Sequence, residues 1–359
     1  MAFTALDESI NRQTHGALGQ LLSRQTFWVF CAAVLAFLYL SYASSAFFTG
    51  QNLFNIARNC AFVGVIGLGM TAVVATGGID LSVGSVLALA GMVCGMMMSW
   101  NYPIWQAIPC AFVAALVCGL ANGFLIAFVR MPPFVVTLGM MSVARSLAMV
   151  LSGNQMVYQF GVDHSKLVAI GGGSTGGWFR AVVDLLGPDN SLGAVSSALA
   201  TYVNIPNPAV FLGFFALIFG FAFRWLRWGR YIFAIGGNEH AARLTGVPVS
   251  RVKISVYMVS ALMAGVAGIL QVGWLGTITT GMGAGIELYA IAAVVVGGAN
   301  LTGGSGTAFG AVVGAVLFEM IRNSLTLLGI NPFWQGTFIG AFIITAVLFD
   351  RLRAFKQAE

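Results

Sequence analysis

The chain has 359 residues, of which 58% are hydrophobic and only 8% charged, with a formal net charge of +6. A soluble domain carries about 25% charged residues, so this composition excludes an ordinary water-soluble globular protein. Topological anchoring explains the few basic residues, and no nucleic-acid partner is called for.

A helix crosses a bilayer in roughly 20 residues. Ten apolar stretches qualify as candidate spans: Phe27–Phe47, Cys60–Thr76, Leu81–Trp100, Ile104–Val129, Phe134–Leu151, Ala209–Phe223, Ile254–Trp274, Glu287–Gly298, Gly306–Ile321 and Phe333–Phe349. Those at 209–223 and 287–298 are short and either extend or re-enter. Residues 1–26 carry mixed charge and read as a cytoplasmic tail. The first run is too long for a signal-peptide core, so it reads as a retained helix. The expected fold class is all-α and polytopic, with about ten transmembrane helices and broken or re-entrant elements. It forms a single transmembrane domain over 1–359.

The first break is the most informative. Ala72 to Gly91 reads AVVATGGIDLSVGSVLALAG, with Gly77, Gly78 and Asp80 inside an apolar stretch. Irregular backbone at membrane depth is tolerated only when buried in protein or lining a cavity. An intramembrane carboxylate faces protein, water or cargo. Asp80 therefore either lines a path or caps the helix that restarts after the break. Downstream, Asn122 can hydrogen-bond a hydroxylated cargo or another helix. Arg145 falls within a span.

A polar region, 152–208, reads as an outside loop. It contains a Gly171–Gly177 run (GGGSTGG) expected to be a flexible linker, and an amphipathic stretch near Trp178–Leu186. A second polar region, 224–253, reads as inside. There Asn238 can cap a short helix, Glu239 to Thr245, stopped by Gly246 and Pro248. Glu239 and Arg243 have the spacing of a surface pair. Ala241, Ala242 and Leu244 add a small apolar patch. Such a helix suits a groove on a cytoplasmic partner, or serves as a connector at the membrane surface.

Toward the C-terminus, Trp274 and Tyr289 can pack on cargo or belong to an interfacial belt, and Gln271 is a further hydrogen-bonding candidate. Glu287 can cap the start of its span. Glu319 and Arg322 can neutralise each other. Gly297–Ser305 (GGANLTGGS) lies beside Gly77–Ser85 (GGIDLSVGS) with five of nine positions identical, and Asn300 falls opposite Asp80. Two related broken-helix elements, as in transporters built from repeats, are one reading.

The basic residues set an orientation. With a cytoplasmic N-terminus and ten crossings, Arg12, Arg24, Arg130, Arg224, Arg227, Arg230, Arg243, Arg251, Lys253, Arg351, Arg353 and Lys356 fall inside. Only Arg58, Lys166, Arg180 and Arg322 fall outside. Both termini are then cytoplasmic. The five cysteines lie in apolar spans without a Cys-x-x-Cys pair and read as small buried hydrophobes. His15, His164 and His240 lie outside the spans, so an intramembrane Ser–His pair is not available.

GRYIFAIGGNEHAARLTGVPVSRVK resembles the cytoplasmic coupling loop of permease subunits in bacterial ABC importers for ribose, xylose, galactose and related monosaccharides. TGGIDLSVGSVLALAG, NGFLIAFVRMPPFVVTLGMMSVARSLA and IAAVVVGGANLTGGSGTAFGAVVGAV are similar to segments of the same family, in order, across roughly 55 to 350. The outside stretch 161–206 is longer than in that family.

The resemblance implies a type II-like ABC importer permease, with helices around a central path at a two-subunit interface in the bacterial inner membrane. It implies a second permease copy or homologue, cytoplasmic ABC ATPase subunits, a periplasmic sugar-binding protein, and membrane lipid as surroundings. ATP and Mg belong to the ATPase. This chain has no cofactor and no Gly-x-x-x-x-Gly-Lys-Ser/Thr phosphate loop. The coupling residues would be Asn238, Glu239, Ala241, Ala242, Arg243, Leu244 and Gly246. The path candidates are Gly77, Gly78, Asp80, Asn122, Trp274, Glu287 and Asn300. A permease for a branched-chain amino acid or nucleoside and an ion-driven secondary transporter are the alternatives.

Overall fold

A computed structural model describes residues 25–186, 196 and 204–331, with positions 334, 336, 337, 340, 341 and 344. The described residues form helices joined by turns and irregular segments, with two isolated bridges, Val157 to Ile278 and Ser174 to Pro206. Its helices are α1 (Gln25–Ala43), α2 (Gly50–Ala75), α3 (Val83–Ser99), α4 (Ile104–Ala127), α5 (Pro133–Ser152), α6 (His164–Gly172), α7 (Thr175–Leu186), α8 (Asn207–Trp225), α9 (Arg227–Gly237), α10 (Glu239–Leu244), α11 (Val249–Leu275), α12 (Ile286–Val296) and α13 (Ala308–Leu327).

Seven of these are long and apolar enough to cross a membrane: α1, α2, α4, α5, α8, α11 and α13. The expectation of about ten crossings is thus only roughly met. The apolar helices α3 and α12 are shorter, with 17 and 11 residues. At 1.5 Å per residue α12 is about 17 Å long, roughly half a hydrocarbon core. It is reached from the end of α11 through the irregular segment 276–285, and together they run from the end of the bundle opposite α10 to the α10 end. The tenth expected span, 333–349, and most of the N-terminal tail lie outside the described residues.

α2 begins ten residues earlier than the apolar run suggests. Its first turns carry Asn52, Asn55, Arg58 and Asn59, which read as loop because they are polar. They are accommodated because Asn52 and Asn323 of α13 exchange hydrogen bonds of 3.1 and 2.7 Å. Thr49 caps the start by accepting from Asn52 N.

α11 is the hub of the bundle, packing against α2, α3, α4 and α6. In lipid, close packing replaces hydrophobic drive, and small residues permit it. Gly119 and Gly123 of α4 lie against the α11 backbone at Tyr257 and Ile254, where an added Cβ would come within 2.7 Å of backbone atoms. Gly268 of α11 meets the Leu87 carbonyl of α3 in the same way. α1, by contrast, is largely exposed.

The GGGSTGG run is not a linker. Gly171 and Gly172 finish α6, and Thr175 begins α7. Gly171 crosses Gly273 of α11 so tightly that neither has room for a Cβ. The run is glycine-rich at its start because two helices touch there. All five cysteines are free, but only Cys60, Cys94 and Cys118 are buried; Cys110 is exposed on the bundle surface.

Candidate functional site

The first break, 76–82, is held by a buried polar network. Asp80 is 1% exposed. Its Oδ1 accepts from Ser82 N (3.0 Å) and Ser82 Oγ (2.6 Å), and its Oδ2 accepts from Ser260 Oγ of α11 (2.9 Å). Asn122 Nδ2 of α4 donates to Ser82 Oγ (3.0 Å). Asp80 thus closes a turn before α3 and binds it to α4 and α11. It does not occupy the cap position itself, as the sequence suggested. That position is Ser82, whose side chain makes no capping bond. Gly78 is required by a neighbour, since a Cβ there would sit 2.5 Å from the Tyr257 hydroxyl.

The second break, 297–307, repeats the turn. Asn300 Oδ1 accepts from Thr302 N (3.0 Å) and Thr302 Oγ1 (2.8 Å). Here the residue is exposed and bonds to no other helix through its side chain. The two breaks meet: Gly304 N donates to Ala75 O (3.0 Å). Gly236, one residue from the end of α9, is wedged between Ala75 O and Gly304 N, with no space for a side chain. A Cβ at Gly303 would lie 2.8 Å from Gly236 Cα and 2.9 Å from Gly77 N. Gly236 therefore touches the last residue of α2 and the second broken-helix loop through bare backbone, and Gly303 of that loop lies beside Gly77 of the first.

α10 follows at once. Asn238 caps it by accepting from Ala241 N (3.0 Å), and Gly246 ends it at φ +84°. Glu239 pairs with Arg243 at 3.4 Å and more closely with Lys253 at 2.7 Å. Helical spacing exposes the first partner in the sequence. The second lies 14 residues away on α11 and becomes adjacent only on folding. Ala242 is buried, whereas Leu244 is 76% exposed and Ala241 and Arg243 also face outward.

At the opposite half of the bundle, the irregular segment 276–285 is tied down by Arg145 of α5, which donates to Thr280 O (2.8 Å) and Met282 O (2.6 Å). Glu287 folds back, its Oε1 accepting from Gly285 N (3.2 Å). Its Oε2 is buried against Gly84 with no hydrogen-bond partner. The N-terminal ends of α3 and α12 thus abut inside the bundle.

A cavity of about 230 Å³ opens among α2, α11, α12 and α13. Phe62 and Trp274 stack in its wall at 5.6 Å between centroids, and the Arg58 guanidinium lies 4.4 Å from the Trp274 ring centroid. Asn59, Gln271, Tyr289, Glu319 and Arg322 also line it. Buried Glu319 pairs with Arg322 at 3.0 Å.

The expected path residues are therefore not one cluster. Asp80 and Asn122 join through Ser82, Glu287 sits by Gly84, Asn300 lies at the α10 end, and Trp274 lines the cavity. Asn59, Phe62, Glu319 and Arg322 were not among them. A signal existed, since Asn59/Phe62, Gln271/Trp274 and Glu319/Arg322 are each three apart, on one face of their helices.

Residues 52–347 match the family model described as branched-chain amino acid transport system / permease component. The chain is 35% identical over 311 residues to the ribose import permease protein RbsC of Escherichia coli strain K12, covering 87% of this chain and 89% of the relative. It is 31% identical to the D-allose transport system permease protein AlsC of the same strain, covering 90% of each. It is 30% identical to the fructose import permease protein FrcC of Rhizobium meliloti, covering 85% of this chain and 79% of the relative. No solved structure matches. With a polytopic helical bundle, two broken-helix loops and a family match over most of its length, the chain belongs to this permease family and is a multi-pass membrane transport subunit.

Proposed function

We propose that this chain is the permease of an ATP-driven importer that carries a monosaccharide or related polyol across the bacterial plasma membrane. A separate ATPase, holding ATP and Mg, docks on the loop 224–253. A sugar-binding protein delivers cargo at the opposite end. A second permease copy or homologue completes the path, and both termini lie in the cytoplasm.

The observation that carries the reading is the wedge of Gly236 between Ala75 O and Gly304 N. α10 presents Ala241, Arg243 and Leu244 outward, while Gly236 of α9, three residues before it, rests on the end of α2 and on the second broken-helix loop. A push on α10 reaches both loops without passing through a flexible side chain. The sugar names of the relatives support the cargo class, and the basic residues near α9 and α10 support a cytoplasmic position.

The test is reconstitution with the ATPase and binding protein in proteoliposomes. ATP-dependent uptake of D-ribose, D-allose or D-fructose is expected. Uptake by the chain alone, driven by a proton or sodium gradient, would overturn the reading. Reversing both Glu239 and Arg243 (Glu239→Arg, Arg243→Glu) is expected to weaken co-purification with the ATPase while membrane insertion persists.

A further inference from the structure

We infer that the cavity among α2, α11, α12 and α13 is a binding subsite for a single neutral sugar ring, built within one permease subunit. The inference rests on the monosaccharide reading and specifies where such a cargo pauses.

The cavity has the chemistry such a ligand needs. A pyranose or furanose ring has an apolar C–H face and an edge of vicinal hydroxyls. Trp274, packed against Phe62 and the Arg58 cation, brings an aromatic ring to the wall for the first. Gln271 and Asn59 offer planar donor–acceptor groups to the second. Glu319 and Arg322, paired at 3.0 Å, add acceptors and donors for hydroxyl groups. At about 230 Å³ the space is below the roughly 300–1,000 Å³ typical of drug-sized ligand sites. It suits one ring and not a disaccharide.

Two further observations point to an occupant. Gln271 Oε1 is buried and has no hydrogen-bond partner. Buried acceptors are normally paired, and an orphan beside a cavity calls for something that enters it. Gly283 and Ala284, in the irregular segment between α11 and α12, also line it. Such backbone persists at membrane depth where it lines a cavity. Trp274 is one residue from the end of α11 that lies opposite α10, so the site sits in the half of the bundle facing away from the ATPase loop. A moderate set of hydrogen bonds over one stacking face holds a sugar weakly enough to be passed on.

The test is a fluorescence titration of the full-length protein in nanodiscs with D-ribose, D-allose, D-fructose and L-leucine, alongside the uptake assay. For at least one sugar a saturable change in tryptophan emission is expected, absent in Trp274→Phe and shifted at least five-fold to higher concentration in Gln271→Leu. Gln271→Leu removes an orphan acceptor, so the fold is expected to tolerate it. Trp274→Phe keeps an aromatic ring against Phe62. A silent titration, or a response unchanged in both variants, overturns the subsite even when sugar uptake is intact. A response to L-leucine alone, or no sugar uptake by the wild type, overturns the monosaccharide reading and this inference with it.

Discussion

The loops 76–82 and 297–307 contain the same turn in opposite surroundings. In each, a side-chain oxygen at the second residue after a glycine pair accepts from the backbone and hydroxyl two residues on. Asp80 then reaches across to Ser260, and Ser82 to Asn122, so four segments are fastened at one buried point. Asn300 fastens only its own loop and is open to solvent. The difference teaches that local sequence shapes the turn while tertiary contacts decide its job. One loop is an anchor. The other is held mainly by backbone contacts with Ala75 and Gly236, at the place where α9 and α10 press.

The sharpest way to break this comparison is Asp80→Ala. It removes the acceptor for three donors, of which Ser82 N and the two serine hydroxyls are buried. Leaving a buried donor unpaired costs about 1–3 kcal/mol, so a loss of roughly 3 kcal/mol is expected for the set. Thermal unfolding of the detergent-solubilised protein measures it. Asp80→Asn keeps one acceptor oxygen and is expected to lose less than half as much. Equal losses for both variants would show that the charge, not the hydrogen bonding, matters at this point.

A smaller effect on stability, but a specific one, is expected from Gly236→Ala. The new methyl collides with backbone at the end of α2 and on the second loop, and overpacking of this kind costs about 1–3 kcal/mol. Neighbouring Gly237 has open space at its Cβ position, so Gly237→Ala is its control. Gly236→Ala is expected to separate ATP hydrolysis from uptake in the reconstituted complex, while Gly237→Ala leaves both within two-fold of wild type. Equal coupling in the two variants would mean that the wedge transmits nothing.

The sequence carried the anchoring loop well and the cavity badly. Asp80 was conspicuous because a carboxylate in an apolar stretch is costly, and Asn300 stood out by alignment with it. The helix after the break starts beyond Ser82, so Asp80 is not its cap, and its other oxygen binds Ser260, a residue 180 positions away with no local signature. Glu239 was paired with Arg243 by helical spacing, and folding added Lys253 at a shorter distance. The early polar turns of α2 read as loop because their partner, Asn323, lies on another helix. The glycine run at 171–177 read as linker because composition does not distinguish flexibility from a tight helix crossing. α12 was visible only as a span that is too short. The segment that leads into it is held by Arg145 through the carbonyls of Thr280 and Met282, contacts that no periodicity encodes.

The smallest effect is expected at Asn300. Its side-chain oxygen accepts from Thr302 N and Thr302 Oγ1, and both groups lie where water can replace it. A net hydrogen bond contributes about 1 kcal/mol, and an exposed one less, so Asn300→Ala is expected to lower stability by under about 1 kcal/mol. The loop still has backbone closure, from Gly303 N to Asn300 O (2.9 Å) and from Gly304 N to Ala75 O (3.0 Å). If the two turns were equivalent, Asn300→Ala and Asp80→Ala would unfold at the same temperature. If the surroundings decide, the Asn300 variant unfolds close to wild type. Its defect then appears in the uptake rate, because the altered loop is the one that bears on Gly236. Measuring both quantities on both variants separates an anchor, which shows up in stability, from a transmitting contact, which shows up in rate.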